Sequence, residues 1–164
     1  MTKQVDNVDK YSASCDEVIA LLGDANKVKT KYETLGSKNV VIVDSRNDDS
    51  GILVKTERDA AQDLPGYAKK VVGETAHLTQ TDTWGPRQAD GTRDGTWDVV
   101  TKGAPAKIGG TLRIEPTADG GSQVITKGSI TIKLPFIGGK FEGFTEDSTK
   151  QQMAAEYAYH LKHL

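Results

Sequence analysis

The stretch Pro135-Phe-Ile-Gly-Gly-Lys-Phe-Glu-Gly143, with the uninterrupted run that follows it to Leu164, decides the fold of this 164-residue chain. The run has no Pro or Gly after Gly143, and it predicts a helix from about Phe136 to the end of the sequence. At ~1.5 Å per residue this helix is roughly 30–36 Å long, which is enough to cross a small domain. Acidic residues lie near its start and basic residues near its end, in the direction that the helix dipole favours.

One face of this helix combines aromatic ends with a polar middle. At ~100° per residue, a single stripe contains Phe141, Phe144, Ser148, Gln152, Ala155 and Tyr159. A buried polar group without a partner costs roughly 1–3 kcal/mol, so Ser148 and Gln152 are unexpected in a solid core. Either a cavity holding water or a ligand faces them, or the stripe is rotated and they face solvent.

Charge, apolar content and cysteine count limit the classes of function that this sequence can have. The net charge is −2 and 27 % of the residues are charged, so there is no basic excess of the kind that nucleic acid requires. No apolar run approaches the ~20 residues of a membrane span, and the first residues lack the apolar core of a signal peptide. A single cysteine, Cys15, excludes an internal disulfide. We expect one soluble cytoplasmic domain over residues 1–164, with no nucleic acid partner and no membrane span.

The rest of the chain predicts strands, apart from two short helices near its start. Residues 3–12 predict the first strand. Ser14 and Glu17 form a capping box, and Asp24 caps a second short helix that ends near Gly36. Further strands are predicted at 39–47, 52–58, 74–84, 92–101, 107–115 and 122–134. Between them, Leu64-Pro-Gly66 predicts a break and residues 68–72 a possible short helix.

The chain is rich in glycine inside predicted strands. These glycines are Gly95, Gly103, Gly109, Gly110 and Gly128. Glycine weakens a strand but permits the bulges and bends of a strongly curved sheet. A curved antiparallel sheet must cover its concave face, and only the last helix is long enough to do so.

This order of elements, with the capped helix pair after strand 1 and the Pro135-Phe-Ile-Gly-Gly lead into a long helix, resembles the helix-grip superfamily. That superfamily includes START lipid-transfer domains, birch-pollen-allergen-like proteins and polyketide cyclases. The chain is similar in particular to an uncharacterised actinobacterial family in which stretches like Leu64-Pro-Gly66, Trp84 and Pro135…Gly138-Gly139 recur. The resemblance covers nearly the whole chain. It implies an α+β helix-grip fold, in which a curved antiparallel sheet of about six to seven strands wraps on the C-terminal helix.

The resemblance also implies a cavity between sheet and helix, used across the superfamily to hold lipids, sterols, hormones or polyketides. The residues predicted to line it are Leu78, Gln80, Asp82, Trp84, Trp97, Val99, Leu112, Phe141, Phe144, Ser148, Gln152 and Tyr159. Apolar walls with a few polar anchors are typical of small-molecule sites, and the alternative is an ordinary core. We predict a non-catalytic protein that binds or transports a hydrophobic small molecule, without a cofactor or a metal ion.

Two other functions remain open. The first is a small cyclase- or hydrolase-like enzyme in which Asp82 or Tyr159 handles protons. The second is a protein-interaction module whose surface contains Met153, Tyr157, Leu161 and Leu164; the same patch can instead be a helix end packed on strands. No nucleophile, base and orienting group stand in a recognisable pattern, so we assign no catalytic residue.

Several single residues carry weaker signals. Strand alternation places Asp82 with Leu78 and Trp84, which predicts either a buried carboxyl with a raised pKa or an exposed strand end. Arg58 and Arg93 are conceivable charge partners for it. His160 and His163 have a spacing that can bind metal, but no third ligand has a fixed position. Cys15 lacks a nearby base and is interpreted as structural.

Overall fold

The structure, a computed structural model, describes residues 2–61, 66, 69–70, 73–104, 106–133 and 138–164. Its elements are β1 (Thr2–Tyr11), α1 (Cys15–Leu22), α2 (Ala25–Thr34), β2 (Lys38–Asp48), β3 (Gly51–Ala61), β4 (Thr75–Trp84), β5 (Arg93–Thr101), β6 (Ala106–Pro116), β7 (Ser122–Ile132) and α3 (Gly138–His163). The predicted break at Leu64-Pro65, most of the possible helix at 68–72 and the predicted helix start at Phe136 lie outside the described residues. Within these ranges, no helix is long and apolar enough to cross a membrane.

The strands form a single antiparallel sheet of seven strands in the order β1-β7-β6-β5-β4-β3-β2. Strands β2 to β7 pair with their neighbours along the chain, as short turns between strands require. The first strand pairs instead with the last one, so that Thr2 lies opposite Thr131 and Tyr11 opposite Ser122. The helix pair α1–α2 connects the two edges. The predicted α+β helix-grip fold is therefore confirmed.

Two glycines let the sheet close around a tryptophan. The Trp97 indole Nε1 donates to the backbone oxygen of Lys127 across the sheet, at 3.2 Å. A Cβ atom on Gly128 would lie only 2.6 Å from Cζ2 of this indole, so the side chain of any other residue would displace the ring. Gly110 pairs with both Trp97 and Gly128. Gly103, by contrast, lies in the turn after β5 with φ of 76°, so its predicted place inside a strand is wrong.

The predicted caps start both short helices. The Ser14 hydroxyl accepts from the backbone N–H of Glu17 at 3.2 Å, and the Asp24 carboxylate accepts from that of Lys27 at 3.1 Å. The apolar faces of the two helices join the larger of two core clusters, which contains Val18, Val28, Tyr32, Ile52, Val54, Trp84 and Ile114. A smaller cluster contains Val5, Ile130, Ile132 and Phe141.

Helix α3 buries only part of the predicted stripe. Ser148 and Ala155 are exposed, whereas Met153 packs against the smaller core cluster and Tyr157 against the larger one. The Tyr157 hydroxyl donates to the backbone oxygen of Lys10 on β1 at 2.6 Å, which helps to fix this orientation. Of the predicted patch, Met153 and Tyr157 are partly buried, whereas Leu161 is 51 % and Leu164 43 % exposed, so a protein partner at this surface stays a prediction.

Candidate ligand-binding cavity

A cavity of about 740 Å³ lies between the inner face of the sheet and α3. Residues from both core clusters line it, among them Trp84 and Val124 from the larger cluster and Phe141 and Ile132 from the smaller one. The cavity thus separates two packed ends of the domain.

The cavity brings together nearly all residues of the predicted site. Those on its lining are Leu78, Gln80, Asp82, Trp84, Trp97, Val99, Leu112, Phe141, Phe144, Ser148 and Gln152. Tyr159 is not among the described lining residues; its ring stacks on that of His163, with centroids 3.9 Å apart. Ser148 is exposed and lies where the cavity meets solvent. Of the neighbouring residues Tyr159 and His160, it is His160 that lines the cavity.

One polar cluster on the lining joins α2, α3 and β1. The Lys31 ammonium lies 2.9 Å from Glu156 Oε1 and 3.2 Å from His160 Nε2. His160 Nδ1 lies 3.0 Å from the Tyr11 hydroxyl. Because an ammonium group can only donate, Nε2 of His160 accepts, and its proton therefore resides on Nδ1 and is donated to Tyr11. This arrangement leaves the Tyr11 hydroxyl proton available to a molecule in the cavity.

The charges in this cluster are set by burial and by one ion pair. Burial, followed by the charge of Lys31, lowers the pKa of His160 to about 4, so this imidazole is neutral near pH 7. Burial tends to raise the pKa of Glu156, but the adjacent Lys31 outweighs it and the pKa is lowered. The cluster therefore contains one ammonium and one carboxylate, which neutralise each other.

A second polar cluster runs across β3 and β4. Arg58 Nη2 donates to Gln80 Oε1 at 3.0 Å, and Gln80 Nε2 donates to both carboxylate oxygens of Asp82, at 3.2 and 3.3 Å. The Arg58 guanidinium lies over the Tyr32 ring, with Cζ 3.8 Å from the ring centroid. Burial raises the pKa of Asp82 to about 6, against the opposing effect of the Gln80 hydrogen bonds. Asp82 is half-buried, and its raised pKa agrees with the first of the two predicted alternatives.

Arg58 is the unexpected member of this site. It is 3 % exposed and lies on the cavity lining, and its Nη1 has no hydrogen-bond partner among the described residues. Strand alternation carries a signal for it, because Ile52, Val54, Thr56 and Arg58 all face inward on β3. Arg93, the other conceivable partner of Asp82, donates instead to the backbone oxygen of Gly85.

Sequence reasoning missed Lys31, Glu156, His160 and Tyr11 as site residues. Glu156 and His160 stand four residues apart on one face of α3, which is the only local signal for them. His160 and His163 point in different directions, since His163 Nδ1 lies 2.8 Å from the Tyr159 backbone oxygen. Burial, together with nearby acidic groups, raises the pKa of the Cys15 thiol, in agreement with a structural role.

The sheet and α3 define a helix-grip fold. The chain belongs to the family described as "Protein of unknown function (DUF2505)", which matches residues 6–164. A relative, the uncharacterized protein Rv0481c of Mycobacterium tuberculosis (strain ATCC 25618 / H37Rv), is 25 % identical over 167 residues, which is 97 % of this chain and 95 % of the relative. The predicted resemblance is thereby confirmed.

Two solved structures show the same fold at low sequence identity. The Zhui aromatase/cyclase from Streptomyces sp. R1128 superposes with a TM-score of 0.64 at 13 % identity, covering 99 % of this chain and 93 % of that one. A START superfamily protein from Mycobacterium smegmatis superposes with a TM-score of 0.57 at 12 % identity, covering 98 % and 99 %.

Proposed function

We propose that this protein binds a hydrophobic small molecule, of a lipid, sterol or polyketide-like kind, in the cavity between the sheet and α3. The observation that carries the proposal is the cavity itself, whose volume of about 740 Å³ lies within the range of small-molecule sites. Apolar side chains, including Leu78, Trp97 and Phe144, supply surface against which an apolar ligand is removed from water. Each Å² of apolar surface covered contributes roughly 25 cal/mol.

The polar clusters supply orientation. They lie within the cavity lining, and their side chains are held by one another before any ligand enters. Preorganised donors of this kind lower the entropic cost of binding. The ligand that fits best is therefore amphipathic, with an apolar body against the walls and a polar end toward Arg58, Lys31 and Tyr11.

A fluorescence titration with an uncharged apolar probe, the methyl ester of cis-parinaric acid, tests this proposal. Val99 and Val100 are consecutive on β5 and face opposite sides, since Val99 lines the cavity and Val100 is 53 % exposed. We expect the wild type and Val100→Trp to bind one ester per chain with the same affinity. Val99→Trp places an indole in the cavity and should weaken binding at least tenfold.

If Val99→Trp and Val100→Trp bind the ester equally well, the probe occupies another place and the cavity proposal is wrong. Absence of saturable binding to the wild type would contradict it as well. Circular dichroism of both variants shows whether each keeps the native fold, so that loss of folding is not mistaken for loss of the site.

A second candidate function is catalysis in the same cavity. The observation that favours it is Asp82, since a carboxyl whose pKa is raised to about 6 can act as a general acid or base near neutral pH. One solved structural neighbour is an aromatase/cyclase. Incubation of the wild type and Asp82→Asn with a metabolite extract tests this candidate by mass spectrometry. A compound consumed only by the wild type supports an enzyme, and an unchanged extract contradicts it.

A further inference from the structure

We infer that the ligand of this cavity carries a carboxylate and that Arg58 binds this group. The inference rests on the proposed function and gives it a substrate class, namely amphipathic carboxylic acids. The observation behind it is the Arg58 guanidinium, a buried cation that forms no direct ion pair with a described residue.

Arg58 has the hydrogen-bonding capacity for such a ligand. Its Nη2 is used by the neutral amide oxygen of Gln80, whereas Nη1 is buried without a partner in the described residues. The ring of Tyr32 fixes the guanidinium from one side. The planar fork of arginine matches the two oxygens of a carboxylate and positions it more specifically than a single ammonium group.

No carboxylate among the described lining residues forms a direct ion pair with Arg58, although the charges of Glu156 and Asp82 act on it at longer range. Glu156 is paired with Lys31 at 2.9 Å. Asp82 contacts the amide nitrogen of Gln80, and its pKa is raised, whereas a direct pair with arginine would lower it. Asp9 accepts from Asn7 at 3.0 Å, and Asp147 is exposed on α3. A buried charge without a counter-ion is unfavourable, and a ligand carboxylate would supply one.

The inference also predicts that the charges of Asp82 and Arg58 affect the binding of an acid in opposite directions. Gln80 connects Arg58 to Asp82, so a carboxylate at Arg58 lies near the Asp82 carboxyl and is repelled when Asp82 is ionised. Removal of this charge should therefore strengthen the binding of an acid, while removal of the Arg58 charge should weaken it. A purely structural role of either residue would not produce effects of opposite sign.

The experiment compares acids with their methyl esters at pH 7.5. Two fluorescent pairs are used, cis-parinaric acid and 1-pyrenebutyric acid with their esters, so that the shape of the apolar part does not decide the outcome. We expect the wild type to bind at least one acid about 10- to 100-fold more tightly than its ester, as a charge-assisted hydrogen bond allows. Arg58→Met should abolish this preference, so that the ratio of the acid affinity to the ester affinity falls to about one.

Asp82→Asn is the complementary variant. It should raise the ratio of the acid affinity to the ester affinity about three- to tenfold. It keeps Arg58 in place, so it tests the inference even if Arg58→Met folds poorly. Equal affinity of the wild type for acids and esters would overturn the inference while leaving the proposed function intact. Failure of all four probes to bind would overturn both.

Discussion

At the scale of single residues, the ion pair between Lys31 and Glu156 joins α2 to α3. Its loss should lower the stability of the protein. The side chain of Lys31 is 7 % exposed and that of Glu156 is 17 % exposed. Glu156→Gln leaves a buried ammonium without its carboxylate, so we expect it to lower the free energy of unfolding by about 2–4 kcal/mol. Urea unfolding followed by circular dichroism measures this change.

The same helix offers a matched control for this substitution. Glu146 lies 4.0 Å from Lys150, whose side chain is 59 % exposed. Such surface pairs contribute about 0–1 kcal/mol, so Glu146→Gln should have little effect. Equal destabilisation by Glu146→Gln and Glu156→Gln would show that the Lys31–Glu156 pair does not hold the two helices together.

His160 predicts a pH dependence of stability. Its pKa is about 4 in the folded protein, because burial and then Lys31 disfavour the imidazolium, against an ordinary value of 6.5. Between these values the unfolded chain binds more protons, so the contribution of His160 to the free energy of unfolding falls by about 2 kcal/mol between pH 7 and pH 5. Asp82 acts in the opposite direction, since its raised pKa makes the folded state bind more protons from 3.8 to about 6.

We therefore compare His160→Gln with the wild type by urea unfolding at pH 7 and pH 5. The variant lacks the titrating ring but keeps a polar group beside Tyr11 and Lys31. It should lose less stability than the wild type over this interval. If both proteins lose the same amount, His160 is not held neutral by its surroundings.

Individual site residues were predictable where strand alternation is strict. Leu78, Asp82 and Trp84 share one face of β4, and the structure places them together on the cavity lining. Arg58 was equally predictable from the alternation of β3. It was missed because inward-facing positions were identified from apolar residues, and arginine is charged. The contact between Gln80 and Arg58 could not be predicted, because it depends on how two strands twist against each other.

At the scale of elements, the orientation of α3 predicts that two apolar residues of this helix contribute differently to stability. Met153 packs against the smaller core cluster, whereas Leu161 is 51 % exposed. Because Met153 is only partly buried, Met153→Ala should cost about 1–2 kcal/mol, below the 2–5 kcal/mol of a fully buried methionine. Leu161→Ala should change the free energy of unfolding by less than about 0.5 kcal/mol.

Urea unfolding of the two alanine variants measures this difference directly. An effect of Leu161→Ala as large as that of Met153→Ala would show that Met153 does not pack against the smaller core cluster. The comparison also bears on the surface proposed for a protein partner. Met153 and Tyr157 are partly buried there, whereas Leu161 is exposed.

The existence of α3 and its place in the fold were predictable, whereas its rotation was not. Length, charge distribution and the absence of Pro and Gly after Gly143 are properties of the helix alone. Its rotation depends on three polar contacts with other elements, which Glu156, Tyr157 and His160 make with Lys31, Lys10 and Tyr11. Partners distant in sequence leave no periodic signal, so the stripe did not include Met153, Glu156 and His160, which also line the cavity.

At the scale of the whole molecule, the domain combines two packed clusters with a cavity that touches both. The larger cluster holds α1 and α2 against the sheet, and the smaller one holds the start of α3. A ligand in the cavity would contact both clusters and would therefore stabilise the folded protein in proportion to its concentration. The order of elements was predictable because it resembles a known superfamily, but the volume left between sheet and helix depends on side-chain packing.

Native mass spectrometry tests the central claim most directly. The wild type, Val99→Trp and Val100→Trp are each incubated with a hydrophobic metabolite extract of the native host and sprayed under non-denaturing conditions. We expect a stoichiometric adduct on the wild type and on Val100→Trp that is absent from Val99→Trp. An adduct on all three proteins, or on none of them, would contradict the claim that this cavity binds a hydrophobic small molecule.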